Sequence, residues 1–117
     1  MTDATLYHNP RCSKSRAALE LLQARGVEPS IVRYLETPPT DADLRALLRK
    51  LDIPARQLLR SSEDEYKSLG LADPTLDEDA LIRAMLDHPK LIERPILIVG
   101  ERAVVGRPPE RILELLA

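Results

Sequence analysis

With 117 residues, 44% of them hydrophobic, the chain has enough material for one domain core and too little for two. It contains neither Phe nor Trp, so its core is aliphatic and it lacks a base-stacking surface, while a net charge of −2 excludes a global pull toward nucleic acid or an anionic membrane. Its single cysteine excludes an internal disulfide framework.

Met1 to Thr5 carries neither the basic start nor the apolar stretch of a signal peptide, and the longest aliphatic run, Ile96-Leu97-Ile98-Val99, is far too short to span a bilayer. A soluble protein of the reducing cytoplasm is the expectation.

Ala4-Thr5-Leu6-Tyr7 is predicted as a short strand, stopped by the turn signal His8-Asn9-Pro10. Ser13 to Arg25 has the spacing of a helix, with Ala18, Leu21 and Leu22 on one face and Gly26 as terminator. Ser30 to Leu35 is predicted as a second strand, parallel to the first through a right-handed crossover. After Thr37-Pro38-Pro39, Thr40 and Asp43 form a capping box for a helix carrying Leu44, Leu47, Leu48 and Leu51.

Ile53-Pro54 ends that helix and begins a short one reaching Leu59-Arg60. Ser62 with Glu65 starts another short piece, ended by Gly70. Thr75 with Glu78 has the pattern of a further capping box, opening a helix with Leu81, Ile82, Met85 and Leu86 that stops at His88-Pro89. Pro95 to Val99 and Ala103 to Val105 form a hairpin across Gly100-Glu101-Arg102. Pro109 and Glu110 suit the first turn of a last helix with Ile112, Leu113, Leu115 and Leu116. This order permits an α/β fold of the thioredoxin-like (glutaredoxin-like) kind: a mixed sheet of about four strands, with a helical insertion between the second and third strands, in one domain spanning 1–117.

Cys12 falls between the first strand and the first helix. Unsatisfied N–H groups and the helix dipole favour a thiolate at such a place. Lowering a thiol pKa by two units takes roughly 2.7 kcal/mol, whereas a helix N-terminus supplies about 0.3–1 kcal/mol. Cationic partners from elsewhere in the chain are therefore expected if Cys12 is strongly activated. Ser15, one turn on, is placed to hydrogen-bond the sulfur, and it occupies the position of the second cysteine of a Cys-x-x-Cys pair. An oxidised Cys12 then needs an external thiol to resolve it. Ala18 stands where a tyrosine-phosphatase-like loop would need its arginine. One Cys and two scattered His do not make a metal site.

His8-Asn9-Pro10-x-Cys12-x-x-Ser15-Arg16, Tyr34-Leu35-Glu36-x-Pro38-Pro39, Leu58-Leu59-Arg60, Leu69-Gly70-Leu71-Ala72, His88-Pro89, Arg94-Pro95-Ile96 and Arg107-Pro108 together resemble the glutathione/glutaredoxin-coupled arsenate reductase family (ArsC type) along essentially the whole chain. The resemblance implies a thioredoxin-like fold, Cys12 as nucleophile, Arg60, Arg94 and Arg107 as oxyanion-binding arginines, and His8 and Ser15 as helpers. It implies arsenate as substrate, glutathione as external reductant, glutaredoxin as partner, no bound cofactor and no metal, in a cytoplasmic monomer. It also implies a cis bond between Arg94 and Pro95 that turns the Arg94 side chain toward Cys12. The basic residues Arg11 and Lys14, with Ser13 between them, and a last helix ending near Ala117 point to a shorter branch of that family. Two other classes stay open beside the reductase: a glutathione-dependent thiol oxidoreductase with another substrate, and a non-enzymatic redox-linked regulator of the same fold.

Overall fold

Leu6 and Leu97 face each other across neighbouring strands, Leu97 is paired in turn with Val104, and this apolar row is the seam on which one half of the chain is built. The structure, a computed structural model, describes residues 4–116. Residues 1–3 and 117, on which the readings of the two chain ends partly rest, lie outside the described residues. The chain divides into two compact units, Met1–Thr37 with Arg94–Ala117, and Pro38–Glu93.

The first unit holds β1 (Ala4–Tyr7), α1 (Ser13–Ala24), β2 (Ser30–Val32), β3 (Ile96–Val99), β4 (Arg102–Val105) and a terminal 3₁₀ helix, Pro109–Leu115. The sheet order is β2-β1-β3-β4. β1 and β2 are parallel, and the pairs β1–β3 and β3–β4 are antiparallel. This is the mixed four-stranded sheet of a thioredoxin-like fold, with residues 38–93 as the insertion between the second and third strands.

Ala18 and Leu22 of α1 and Ile112 of the 3₁₀ helix pack with Ala4, Leu6, Leu97 and Val104. Both helices therefore cover the same face of the sheet. Ser15, Ala18 and Leu22 are the buried positions of α1, an i, i+3, i+7 stripe. The helix stops where Gly26 takes φ +74°, with Gly26 N–H on the Gln23 carbonyl and Val27 N–H on the Leu22 carbonyl.

β2 is shorter than expected. β1 ends at Tyr7, opposite Val32, and the last bond beyond it runs from His8 N–H to the Val32 carbonyl. Past that point β2 has no neighbour to pair with, and the chain turns, with Glu36 and Thr37 N–H both on the Arg33 carbonyl. The last helix is 3₁₀ rather than α, in keeping with a seven-residue segment that opens on the second of two prolines.

The second unit is helical: α2 (Asp41–Leu51), α3 (Ala55–Leu58), α4 (Asp64–Ser68), α5 (Glu78–Asp87) and a 3₁₀ turn, Pro89–Leu91. The Thr40–Asp43 capping box forms, each side chain accepting the other's backbone N–H at 3.1 Å. Leu44, Leu47 and Leu48 are buried, and α2 ends in a left-handed Asp52. The second expected box does not form. Asp77 caps α5 through Ala80 N–H, while Thr75 donates to Asp73 and Glu78 accepts the N–H of Ala55 at the start of α3. Asp77 holds the cap position itself, and Thr75 lies two residues before it, outside the helix. Nor does Ser62 open α4, which begins after Glu63 without a side-chain cap.

Among the described residues no helix is long and apolar enough to cross a membrane. Thr40→Ala removes one half of the working box and is expected to destabilise the protein by about 1 kcal/mol, read as a lower urea midpoint at unchanged slope.

Candidate active site

The ends of four strands meet at one edge of the sheet. Tyr7 is in register with Val32 on one side and with Ile96 on the other, and Ile96 with Val105. Because β1 and β2 run parallel and β3 runs against them, the segments leaving β1, β2 and β4, and the segment entering β3, all lie at that edge. They carry Cys12, Tyr34, Arg107 and Arg94 respectively.

The loop after β1 is fixed by its own polar groups. Asn9 is buried; its carbonyl accepts Cys12 N–H at 2.9 Å and its side-chain oxygen accepts Arg11 N–H at 3.0 Å. Ser15 is fully buried, and its hydroxyl oxygen accepts Asn9 N–H at 3.0 Å and lies 3.1 Å from His8 Nδ1. The expected bond from the Ser15 hydroxyl to the sulfur is therefore not made: the hydroxyl braces the loop, and the backbone N–H of Ser15 serves Cys12 instead. His8 is buried, and that burial, with the charges of Arg33 and Arg16, pushes its pKa below the ordinary histidine value. At neutral pH it is an uncharged brace.

Cys12 is the residue on which α1 starts. Its side chain is half-buried, with extended backbone, and no close capping hydrogen bond is made to the helix. Burial pushes the thiol pKa up, but the N–H groups of Ser15 and Lys14 and the guanidinium of Arg94 outweigh it, and the net direction is down. Arg107 adds a second guanidinium, its Nη2 lying 3.9 Å from the sulfur.

Both arginines precede a proline, and Arg107 is aimed by a backbone carbonyl. The Arg94–Pro95 bond is cis, as expected, and so is Arg107–Pro108, which the sequence reading did not anticipate. Arg107 Nε donates to the Arg94 carbonyl at 2.8 Å, and Gly106 N–H to the Pro95 carbonyl at 2.8 Å. Gly106 permits that approach, since a Cβ there would meet Pro95 Cγ at 2.9 Å and Ile112 Cγ2 at 3.1 Å.

Arg60 belongs to the helical unit. Its N–H bonds the Leu91 carbonyl at 2.8 Å, beside the bridge between Leu59 and Ile92. Its guanidinium pairs with Glu93 at 2.7 Å and Glu63 at 3.5 Å. The structure thus brings Cys12, Arg94 and Arg107 together and His8 with Ser15, and it gives Arg60 carboxylate partners within its own unit. Sequence reasoning missed the clamp at Asn9.

Such a site stabilises a thiolate and presents guanidinium donors beside it, the combination needed for sulfur attack on a tetrahedral oxyanion. The ArsC family's sequence profile matches residues 7–115. Uncharacterized protein YfgD of Escherichia coli (strain K12) is 57% identical over 112 residues, covering 95% of this chain and 94% of that protein. An arsenate reductase of Neisseria meningitidis serogroup B is 50% identical over 117 residues, covering 99% and 100%. The solved structure of an arsenate reductase from Vibrio cholerae superposes with a TM-score of 0.94 at 46% identity, covering 97% of each chain.

Alkylation of Cys12 by neutral iodoacetamide should rise with pH around a midpoint below the ordinary thiol value. The thiolate is held above that lowered midpoint and lost as pH falls through it. Arg94→Ala should move the midpoint upward, which a rate–pH profile measures directly.

Proposed function

The chain belongs to the ArsC family, and on that premise we propose that it reduces arsenate to arsenite in the cytoplasm, as a monomer, with glutathione and glutaredoxin supplying the electrons. The observation that carries this reading is the convergence of the Arg94 and Arg107 guanidinium groups on the Cys12 sulfur.

The Cys12 thiolate attacks arsenic, an arsenate oxygen takes up a proton, and water leaves a sulfur–arsenic(V) bond. The arginines match the charge of the oxyanion, so that an anionic sulfur can approach it. Glutathione then bonds to arsenic with loss of a second water. A glutaredoxin thiol attacks the glutathione sulfur, forming a mixed disulfide and leaving two electrons on arsenic, now As(III). Hydrolysis of the Cys12–arsenic bond releases arsenite and restores the thiol. With Ser15 where a resolving cysteine would stand, both reducing thiols come from outside. The reaction needs no resident cofactor or metal.

Arg60 is assigned to the oxyanion from the family pattern, and His8 and Ser15 to bracing the loop that carries Cys12. The pairing of Arg60 with Glu63 and Glu93 favours a second reading, a glutathione-dependent thiol oxidoreductase acting on cysteine adducts without an anion-binding role for Arg60.

Arsenite formation should require both glutathione and glutaredoxin, and Cys12→Ser should abolish it. Arg60→Ala should raise the arsenate KM roughly tenfold or more, the scale of losing a charged hydrogen bond. Arsenate should also protect Cys12 from alkylation. Release of glutathione from mixed disulfides by a protein inert toward arsenate, and indifferent to Arg60→Ala, would establish the second reading instead.

A further inference from the structure

Arg60 lies two residues past the end of α3, in a stretch clasped by backbone to the one that follows the 3₁₀ turn Pro89–Leu91. Leu59 and Ile92 form an antiparallel bridge, Arg60 N–H donates to the Leu91 carbonyl at 2.8 Å, and Glu93 N–H donates to the Leu58 carbonyl at 3.0 Å. The clasp sets Arg60 beside Glu93, and Arg60 Nη1 donates to Glu93 Oε1 at 2.7 Å. Glu63 Oε1 stands 3.5 Å from Arg60 Nε, a buried nitrogen that makes no hydrogen bond. Lys90, in the same clasp, pairs with Glu65 at 3.1 Å.

The Arg60, Glu63 and Glu93 side chains are only 15%, 22% and 25% exposed. Water and salt screen charges at that depth less than they screen a surface pair such as Arg45–Asp79, whose side chains are 40% and 77% exposed. One guanidinium is thus held against two carboxylates. Glu93 takes one of its donors and others remain; what the carboxylates offset is its positive charge.

We propose that Glu93, with Glu63, is a specificity-determining residue: its carboxylate offsets the Arg60 guanidinium, so that the anion subsite there takes a singly charged oxyanion in preference to a doubly charged one. The proposal rests on the assignment of Arg60 to the oxyanion. An unpaired guanidinium attracts a dianion more strongly than a monoanion. Set against two carboxylates it loses that preference, because their repulsion also grows with the charge of the ligand. Hydrogen bonding is then what the subsite offers. Arsenate carries one or two charges near neutral pH, and this arrangement selects the singly charged form.

Glu93→Gln keeps an acceptor oxygen for Arg60 Nη1 and removes only the charge. The readout, on the whole protein with its fold checked by circular dichroism, is protection of Cys12 from iodoacetamide at constant pH and ionic strength, relative to each variant's own anion-free rate. The probes are sulfate and perchlorate, tetrahedral anions of two charges and one. Glu93→Gln should lower the half-protecting concentration of sulfate roughly two- to fivefold, the scale of one charge interaction, and that of perchlorate less. Glu63→Gln should act in the same direction. Glu65→Gln, which removes the same charge beside Lys90, should change neither. Unchanged or weaker sulfate protection in Glu93→Gln overturns the proposal, because a carboxylate that only supports the fold or positions Arg60 gives that result. An equal gain from Glu65→Gln overturns it too, since the charge would then act through the general field. Sulfate that protects neither the wild-type protein nor Glu93→Gln has the same consequence. If Arg60→Ala leaves sulfate protection where it was, the assignment of Arg60 to the oxyanion falls and the role of Glu93 with it. A loss in Arg60→Ala without a gain in Glu93→Gln overturns the Glu93 role alone. Neither probe is reduced, so a failure of arsenate chemistry is seen separately.

Discussion

The N-terminus of α1 is left without a capping side chain or an acidic residue, and the active-site chemistry depends on that vacancy. α2 and α5 each have an oxygen cap and two acidic residues in the first turn. α1 has neither; it begins on Cys12 and carries Lys14 and Arg16 near its start. Its positive pole and first N–H groups, of which those of Lys14 and Ser15 serve the Cys12 sulfur, thus lack any other negative complement of the kind that a helix start ordinarily receives. A thiolate supplies it, and so would an oxyanion bonded to that sulfur. The vacancy alone gives too little, because a dipole worth about 0.3–1 kcal/mol does not move a thiol far, and burial of Cys12 works in the opposite direction. The N–H groups of Ser15 and Lys14 and the guanidinium of Arg94 together overcome that burial, so the local sequence around Cys12 is only part of its own electrostatics.

That division explains which parts were legible in the sequence. The elements were, because apolar spacing and punctuation are local: α1 with Gly26 behind it, the Thr40–Asp43 box, the hairpin around Gly100. The misplaced details were competitions between neighbours. Thr75 and Asp77 both had the chemistry to cap α5, and the spacing to Glu78 favoured the wrong one, since Glu78 was engaged elsewhere, on Ala55 N–H. The length of β2 was set by its partner. Nothing in Arg33-Tyr34-Leu35 forbids a strand, but β1 ends at Tyr7 and leaves no ladder to join.

The site was legible differently. Cys12 announced itself by its place before a helix. The arginines came from the family pattern, and no spacing rule links residue 12 to residues 94 and 107. The sheet makes that link, through a register that puts Tyr7, Ile96 and Val105 side by side. Ser15 shows the limit of face arguments. One turn from Cys12, it was well placed for the sulfur, yet its hydroxyl spans Asn9 N–H and His8 Nδ1. A fully buried hydroxyl goes first to the donors that the tight turn leaves unsatisfied.

The same register constrains how the site can vary. Arg107 is aimed through the Arg94 carbonyl, and the strands that carry the two are held together by the Gly106–Pro95 bond. Any side chain at 106 would push on Pro95 or Ile112, and Ile112 is a member of the core beneath the sheet. A change there would be felt in the packing and at the sulfur together. Arg16 is exposed yet tied to the Cys12 loop through the Pro10 carbonyl at 2.9 Å, whereas Lys14 is exposed and its side chain stands outside that coupling. A substitution of the Lys14 side chain changes the charge of that rim while leaving the Cys12–Arg94–Arg107 geometry intact. The charge of the rim and the geometry at the thiol thus rest on separable residues, even though both belong to the segment that carries Cys12.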